Sequence, residues 1–413
     1  MPSAILTLNA GSSSLKFALF DSATPTMALL RGEVSDLNTA PHLVAHDSDG
    51  NSLIDRQWQV ARAGQAGSEG SEGSFANILT ALLEFIDAHP GHDGLAAVGH
   101  RVVHGGADHI EPERVTPALL QSLTTLIPLD PLHLPHNIAP IRAIALAKPK
   151  LPQIACFDTA FHHTIPPVAQ RFALPRAISD AGVRRYGFHG LSYEYIAARL
   201  REVAPALARG KVVVAHLGAG ASLCALLNGV SIATTFGFSV LDGLVMATRC
   251  GSLDPGVILY LGRQGYSFAD IEDMLYNRSG LLGVSGISED IRVLLASTDG
   301  NAREAIDLFT YRLAIEIAGM AAALGGLDGV VFTAGIGQHS SEIRGAVCDR
   351  LAWLGVRLDN AANLAGKPRI SAADSDVAVR VIATDEDVMI ARHVSDALSS
   401  SKKTSQIAGA HDE

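Results

Sequence analysis

Two arginines and a histidine stand in short segments whose chemistry suits the binding of anions. Arg101 lies in His100-Arg-Val-Val-His-Gly-Gly106, and Arg249 lies in Thr248-Arg-Cys-Gly251. A guanidinium group stays charged at neutral pH and holds carboxylate or phosphoryl oxygens in pairs. His189 lies in Arg184-Arg-Tyr-Gly-Phe-His-Gly190, where the neighbouring positive charges favour a neutral imidazole that donates a hydrogen bond. These side chains predict a site for carboxylate and phosphoryl groups, although a structural role for each is the alternative.

Carboxylate and amide side chains come at the ends of predicted strands. Asp158 and Glu386 each follow an apolar run, a common place for carboxylates that face magnesium in phosphoryl transfer. Asn9 could orient phosphate oxygens or the water of a metal ion, and Lys16 could meet a phosphate as a point charge. The alternatives are a helix cap or first-turn acid for each carboxylate and a solvated strand lysine for Lys16.

A strand, a turn of small residues and a second strand occur twice. The first turn is Asn9-Ala-Gly-Ser-Ser-Ser14, and the second is Gly218-Ala-Gly-Ala-Ser222. Turns with little side-chain bulk let backbone N–H groups converge on an anion. Gly335-Ile-Gly337 follows another apolar strand and is a third candidate for phosphate. The repetition predicts a duplicated fold that binds a nucleotide, and two ordinary hairpins are the alternative.

The composition limits the class of protein. The chain has 413 residues, of which 48% are hydrophobic and 18% charged, so we expect a globular protein of two domains. A formal charge of −10 argues against binding to nucleic acid or acidic membranes. Four scattered cysteines without a C-x-x-C pair argue against a disulfide framework or a zinc site. With no signal peptide or membrane span in the pattern, we expect a cytoplasmic protein.

Hydrophobic periodicity predicts strands and helices in alternation. This order is typical of an α/β fold that binds ligands at the carboxyl ends of its strands. The segment 62–75 is predicted to be a flexible polar loop. The main predicted helices are 76–89, 117–126, 137–147, 268–276, 301–324 and one that follows Thr384-Asp-Glu-Asp387 and ends at about 398. The predicted strands outside the hairpins are 95–99, 153–157, 329–333 and 377–383.

Taken in order, these segments resemble the acetate kinase family, a family of short-chain acyl kinases within the actin–hexokinase superfamily. The resemblance extends from Asn9 to about Arg392. Each segment is weak evidence alone, whereas all of them in one order are specific. Besides those quoted above, the matching segments are Pro131-Leu-His133, Phe157-Asp-Thr-Ala-Phe-His162, His216-Leu-Gly218, Ser279-Gly-Leu-Leu-Gly-Val-Ser-Gly286, Phe332-Thr-Ala-Gly-Ile-Gly337 and Thr384-Asp-Glu386.

The resemblance implies a duplicated, actin-like (ribonuclease H-like) α/β fold of two domains with a nucleotide in the interdomain cleft. Residues 1–158 with 386–398 would form the substrate and metal side, 159–385 the nucleotide-binding side, and 399–413 a disordered tail. The implied reaction is reversible, in-line phosphoryl transfer from ATP to acetate, giving acetyl phosphate and ADP, with Mg²⁺ or alternatively Mn²⁺. The implied partners are a small carboxylate, ATP and a second copy of the chain, with neither nucleic acid nor membrane.

The family pattern also implies a role for each matching residue. We expect Asp158 to orient Arg101 or a metal-bound water rather than to act as a base, since a carboxylate substrate with a pKa of roughly 4–5 is already ionised at neutral pH. The implied catalytic residues are Arg101, Asp158, His189 and Arg249, and the implied metal ligands are Asn9 and Glu386. The implied substrate-binding residues are Arg101, Val103, Leu132, His133, Phe188 and Val240. The implied nucleotide-binding residues are Lys16, His216, Leu217, Gly218, Ala219, Gly220, Asp290, Ile291, Arg292, Gly335, Ile336, Gly337, Gln338 and His339.

Several residues depart from the family pattern. Ala219 replaces the usual amide of the nucleotide turn, Gln338-His339 replaces Glu-Asn, Tyr193 replaces a second histidine, and Val240 replaces a proline. These departures keep open a kinase that prefers propionate or butyrate and, from another class, a nucleotide switch, which is a non-catalytic or ATPase-type relative that opens and closes around nucleotide. One methylene in an apolar pocket changes binding by only about 1–3 kcal/mol, so the preferred chain length is not predicted.

Overall fold

Each half of the chain is built on a mixed β-sheet in the computed structural model, which describes residues 3–11, 13–58, 75–89 and 92–409. Contacts divide the chain into a first unit, Met1–Ala160 with Asp385–Glu413, and a second unit, Phe161–Thr384. The loop predicted over 62–75 lies outside the described residues except for Phe75. None of the helices in the described part is long and apolar enough to cross a membrane.

The first unit has an eight-stranded sheet in the order β5-β4-β3-β2-β1-β6-β8-β7. Its strands are β1 (Ala4–Ala10), β2 (Leu15–Asp21), β3 (Ala28–Ser35), β4 (His42–Asp47), β5 (Ser52–Gln57), β6 (Leu95–Val102), β7 (Glu113–Arg114) and β8 (Gln153–Phe157). Strands β1 to β5 pair antiparallel in sequence order, whereas β6 is parallel to both β1 and β8. Its helices are α1 (Phe75–Ala88), α2 (Pro117–Thr125) and α3 (Leu134–Ala147), and Thr116 caps α2 by accepting from the Leu119 amide.

The second unit has a five-stranded sheet in the order β11-β10-β9-β12-β13. Its strands are β9 (Lys211–Leu217), β10 (Ala221–Leu227), β11 (Val230–Thr234), β12 (Gly329–Thr333) and β13 (Ala378–Val381). Its helices are α4 (Pro167–Gln170), α5 (Arg176–Asp180), α6 (Gly190–Val203), α7 (Pro205–Ala208), α8 (Pro255–Arg263), α9 (Phe268–Asn277), α10 (Gly280–Ser285), α11 (Ile291–Ala296), α12 (Gly300–Leu324), α13 (Ala334–His339), α14 (Ser341–Arg350) and α15 (Asn360–Leu364).

The two sheets share one pattern of strand order and direction. In the second unit β9, β10 and β11 pair antiparallel, and β12 is parallel to β9 and β13. The strands β3-β2-β1-β6-β8 of the first unit have the same sequence of antiparallel and parallel neighbours. The duplication that the repeated hairpins predict is therefore present. In both sheets, the first hairpin turn and the ends of the parallel strands emerge at the same edge.

The chain returns to the first unit in its last helix, α16 (Glu386–Gly409). This helix packs directly against Gly99 of β6. A Cβ at this position would lie 2.4 Å from a methyl group of Ile390 and 2.7 Å from one of Val394, so a larger residue would collide with the helix. The helix begins at Glu386, inside the Thr384-Asp-Glu-Asp387 segment after which we predicted it, and it continues past 399, where we predicted disorder. The Ser- and Lys-rich stretch after 399 contains no proline and no glycine before Gly409, so nothing in it stops a helix. Residues 410–413 lie outside the described residues.

Candidate active site

In the first unit, Arg101 at the end of β6 gathers the polar side chains of neighbouring strand ends. Its Nε and Nη2 both donate to Oδ2 of Asp158, the Nε bond being 2.9 Å long, and its Nη1 donates to Oδ1 of Asn9 over 3.1 Å. Glu386, at the start of α16, has an Oε2 that lies 3.8 Å from Arg101 Nε and accepts from Asn9 Nδ2 over 3.5 Å. The structure therefore brings together Asn9, Arg101, Asp158 and Glu386, which are separated by up to 377 positions in sequence.

The electrostatics of this cluster suit a cation. Burial raises the pKa of Glu386 to about 7, against the opposing attraction of Arg101. Burial alone would lower the pKa of Arg101, but the carboxylates of Asp158 and Glu386 outweigh burial and raise it. Asp158 is fully buried, and its Oδ1 has no hydrogen-bond partner among the described residues. An unpaired carboxylate oxygen and a destabilised carboxylate are groups that a cation would stabilise.

These residues fit a hydrated magnesium ion better than a fully protein-bound metal. Mg²⁺ takes oxygen ligands, keeps several waters, and is usually held by one or two carboxylates plus phosphate oxygens. The described residues contain no group of three or more His, Cys, Asp and Glu side chains that could hold a metal. Lys16, the cross-strand neighbour of Asn9, lies on the exposed side of β2 and adds a weaker attraction to Glu386.

Besides Arg101, the first unit holds three of the predicted substrate-binding residues, Val103, Leu132 and His133. Val103 is buried, and its amide donates to Oδ1 of Asn137 over 2.8 Å. Asn137 in turn donates to the Ala10 carbonyl over 2.7 Å, so one buried amide joins α3 to the ends of β1 and β6. The prediction missed Asn137, because its partners lie far away in sequence. Leu132 is partly exposed, and Nδ1 of His133 lies 2.8 Å from Oδ1 of Asp130.

In the second unit, His189 and Arg249 converge on the hairpin turn between β9 and β10. A Cβ built on Gly220 would lie 3.4 Å from Nε2 of His189 and 3.6 Å from Nη1 of Arg249, so both nitrogens face the same space beside this glycine. Arg249 Nη1 also donates to the Val240 carbonyl over 3.3 Å. The predicted substrate-binding residues Val240 and Phe188 are both buried in this unit.

The backbone holds His189 in an unusual conformation. Its φ of 60° lies in the left-handed region, which is uncommon for residues other than glycine and occurs at functional sites. The imidazole stacks on that of His216 with ring centroids 4.0 Å apart, and its Nδ1 lies 2.9 Å from Oγ of Ser222. Oγ of Ser222 lies 2.5 Å from the hydroxyl of Tyr193. His189 is thus held by its own turn, by a stacked ring and by a buried hydroxyl.

A cavity of about 780 Å³ lies in the second unit beside this turn. The volume is in the range of small-molecule sites. Eight of the predicted nucleotide-binding residues line it: Gly218, Ala219, Asp290, Ile291, Arg292, Gly335, Ile336 and His339. The cavity is also lined by residues that we did not predict: Ala247, Glu289, Leu295, Ala296, Ser340 and Glu342.

Other predicted nucleotide-binding residues are not among those that line the cavity. Leu217 is fully buried inside β9, and the ring of His216 packs against His189, so neither side chain is directed into the cavity. Gly220, Gly337 and Gln338 also lie outside its lining. Any contact that Leu217 makes with a nucleotide would have to come from its backbone.

The predicted phosphate loop at 335–339 is helical in the structure. Both glycines lie inside α13, and the corner between β12 and this helix is made by Ala334, whose φ is 62°. Arg344, which the prediction missed, is buried and donates to the carbonyls of Gly337 and Gln338 over 3.0 and 2.8 Å. Since these carbonyls end the short helix, the guanidinium holds it in place and complements its dipole.

Comparisons with known proteins agree with this arrangement. The model of the acetokinase family matches residues 4–392. The acetate kinase of Rhodopseudomonas palustris (strain ATCC BAA-98 / CGA009) is 55% identical over 401 residues, covering 95% of this chain and 98% of that protein. The acetate kinase of Rhizobium meliloti is 48% identical over 392 residues, covering 94% and 97%.

Solved structures give the same result for the fold. A propionate kinase from Francisella tularensis subsp. tularensis SCHU S4 superposes with a TM-score of 0.86 at 34% identity, covering 95% of this chain and 98% of that chain. The acetate kinase of Porphyromonas gingivalis superposes with a TM-score of 0.83 at 32% identity, covering 94% and 98%. These matches confirm the predicted fold class. Together with the family model, which covers nearly the whole chain, they show that the protein belongs to the acetokinase family.

Proposed function

We propose that the protein transfers the γ-phosphoryl group of ATP reversibly to acetate, giving acetyl phosphate and ADP. The observation that carries the proposal is the position of His189 Nε2 and Arg249 Nη1 beside Gly220, next to Gly218 and Ala219, which line the large cavity. A nucleotide bound in that cavity would present its terminal phosphate to a cation and a hydrogen-bond donor. The named activity of relatives up to 55% identical supports this assignment.

The proposed step is an in-line displacement. A carboxylate oxygen of acetate forms a bond to the γ-phosphorus while the bond to the oxygen that bridges the β- and γ-phosphates breaks, and ADP leaves with that electron pair. The acid is already ionised at neutral pH, so no strong base is required. The difficulty is the approach of two anions and the charge on the equatorial oxygens, which positioned donors and cations stabilise.

Each residue then has a defined task. Arg249 and His189 bind the transferring group, and Arg101 holds the incoming carboxylate in a geometry fixed by Asp158. Asn9 and Glu386 would hold a magnesium ion, with Mn²⁺ as a substitute. When bound, that ion neutralises phosphate charge. The family pattern implies that Val103, Leu132, His133, Phe188 and Val240 bind the substrate.

The activity is tested by trapping acyl phosphate with hydroxylamine. The purified protein is incubated with Mg-ATP and acetate, propionate or butyrate, and a reaction without acid is the control. Most product with acetate supports the proposal, whereas product with the longer acids alone makes the protein a sister kinase. ATP turnover that ignores added acid would replace the proposal with a nucleotide switch.

We also infer that the protein forms a homodimer through the second unit. Large apolar side chains are exposed on α8, α9 and α12, and Phe268 is 91% exposed. The other such residues on these helices include Leu259, Tyr260, Tyr311 and Ile315. Light scattering during gel filtration tests this inference, and a monomer at micromolar concentration would reject it.

A further inference from the structure

A buried phenol approaches the catalytic histidine through one serine. The hydroxyl of Tyr193 lies 2.5 Å from Oγ of Ser222, and that oxygen lies 2.9 Å from Nδ1 of His189. Tyr193 and Ser222 are both fully buried. Tyr193 lies one helical turn after His189, and its amide donates to the His189 carbonyl over 3.0 Å. The three side chains form a continuous chain of hydrogen bonds that ends at the site.

Counting hydrogens gives this chain a direction. A serine hydroxyl carries one hydrogen and can accept from two donors. If Tyr193 donates to Ser222, then Ser222 donates to Nδ1 of His189 and every hydrogen is used. If Nδ1 donates instead, Ser222 either donates to the phenol oxygen or accepts from both of its neighbours. The phenol hydrogen needs another acceptor in the first case, and the Ser222 hydrogen needs one in the second. Within the described part of the chain, the phenol has Ser222 as its one hydrogen-bond partner, and Oγ of Ser222 has the phenol and Nδ1 of His189 as its partners, so either case leaves a buried donor unsatisfied.

We propose that Tyr193, through Ser222, fixes His189 as the neutral tautomer that carries its hydrogen on Nε2, which makes Tyr193 a positioning residue. This proposal rests on the proposed function, in which Nε2 donates to the transferring phosphoryl group. Nε2 is the nitrogen that faces the space beside Gly220 and Arg249. An Nδ1 that accepts a hydrogen bond cannot carry a proton, so the relay also keeps the ring uncharged.

The chemistry of the phenol suits this task. Burial raises the pKa of Tyr193 well above its ordinary value of 10.0, so its hydroxyl keeps its hydrogen throughout the working range of pH. An imidazole in the same place could exchange donor and acceptor roles between its two nitrogens. The phenol has a single oxygen that keeps its hydrogen, so it can serve as the donor at the start of this chain of hydrogen bonds.

The test combines a spectroscopic and a kinetic measurement. Nitrogen NMR of histidine-labelled protein without substrates, with His189 assigned by the His189→Gln variant, should show Nδ1 as an acceptor and Nε2 as protonated. In Tyr193→Phe the two tautomers should mix, and kcat should fall about fivefold to tenfold, the factor expected for one hydrogen bond. The KM values for ATP and acetate should stay within about twofold, because the relay acts on the histidine and not on the substrates.

Two further variants keep the result unambiguous. Ser222→Ala breaks the same chain of hydrogen bonds at its middle and should produce the same tautomer mixture. This variant therefore still tests the proposal if the Tyr193→Phe protein does not fold. Tyr186→Phe is the matched control, because it removes a buried phenol that donates to the Gly182 carbonyl over 2.7 Å, and its kcat should be unchanged. A wild-type His189 protonated on Nδ1, or a Tyr193→Phe protein with unchanged tautomer and kcat, would overturn the proposal. Because the NMR readout needs no turnover, failure to form acyl phosphate would reject the proposed function without deciding the tautomer.

Discussion

Replacing Asp158 with asparagine tests whether this carboxylate orients Arg101 or acts as a base. Asp158 is fully buried, and its Oδ2 accepts two hydrogen bonds from Arg101. Removing one member of a buried ion pair costs about 3–5 kcal/mol. An asparagine oxygen can still accept from Arg101, and Glu386 remains 3.8 Å away, so we take the lower value. If the same amount of transition-state stabilisation is lost, about 3 kcal/mol, kcat falls by roughly 150-fold.

The assay is the hydroxamate trap, with binding measured separately. ADP without magnesium should bind Asp158→Asn with a Kd within about twofold of that of the wild type, because the nucleotide cavity belongs to the second unit. Asp87→Asn is the control, because it breaks an exposed ion pair with Lys148 in the first unit, and such pairs contribute at most about 1 kcal/mol. Its kcat should match that of the wild type.

A double variant separates the two roles. If Asp158 acts through Arg101, adding Asp158→Asn to Arg101→Ala should change kcat by no more than about twofold, since the group that it orients is already absent. If Asp158 removes a proton, the second substitution should cost as much as it does alone. An additive loss, or a single variant with unchanged kcat, would refute the orienting role.

Two other substitutions address catalysis and stability in the second unit. Arg249→Ala should lower kcat by at least about 10³, as expected for an arginine that stabilises a transferring phosphoryl group, and a loss below tenfold in the hydroxamate assay would contradict this. His162 is buried, and burial lowers its pKa from 6.5 to about 4. Between pH 6.5 and pH 4, this side chain therefore binds a proton in the unfolded chain but not in the folded chain. Because of this residue, the free energy of unfolding should therefore decrease by about 3 kcal/mol as the pH falls from 6.5 to 4. His162→Gln should show a smaller drop in melting temperature between pH 7 and pH 4.5, and an equal drop would show that His162 does not contribute.

Much of the fold follows from local signals in the sequence. The strand at 153–157 has the predicted bounds, and α12 begins one residue before the predicted start and ends where predicted. Both follow from hydrophobic periodicity, which reports burial residue by residue. The repeated hairpins also predicted the duplication, because a turn of small residues between two apolar runs is itself a local pattern.

The parts that could not be predicted depend on contacts between distant segments. Arg344 holds the end of α13 from the following helix, and Asn137 joins an amide and a carbonyl that lie 34 and 127 positions away. Tyr193 meets Ser222 across 29 positions. None of these contacts leaves a periodicity or a turn signal, since each depends on how packed elements happen to face each other. The departure at Tyr193 was visible in the sequence, but its partner was not.

The charges of the two clusters give each unit a different preference for ligands. In the first unit, the carboxylates of Asp158 and Glu386 share the guanidinium of Arg101, and burial, with a smaller repulsion from Asp158, raises the pKa of Glu386. In the second unit, Arg249 stands beside a histidine that the proposed relay keeps neutral, which leaves one positive charge. A cation stabilises the first cluster and an anion stabilises the second. The Mg-ATP of the proposed function supplies one charge of each sign, so each unit carries the charge that complements one of its two components.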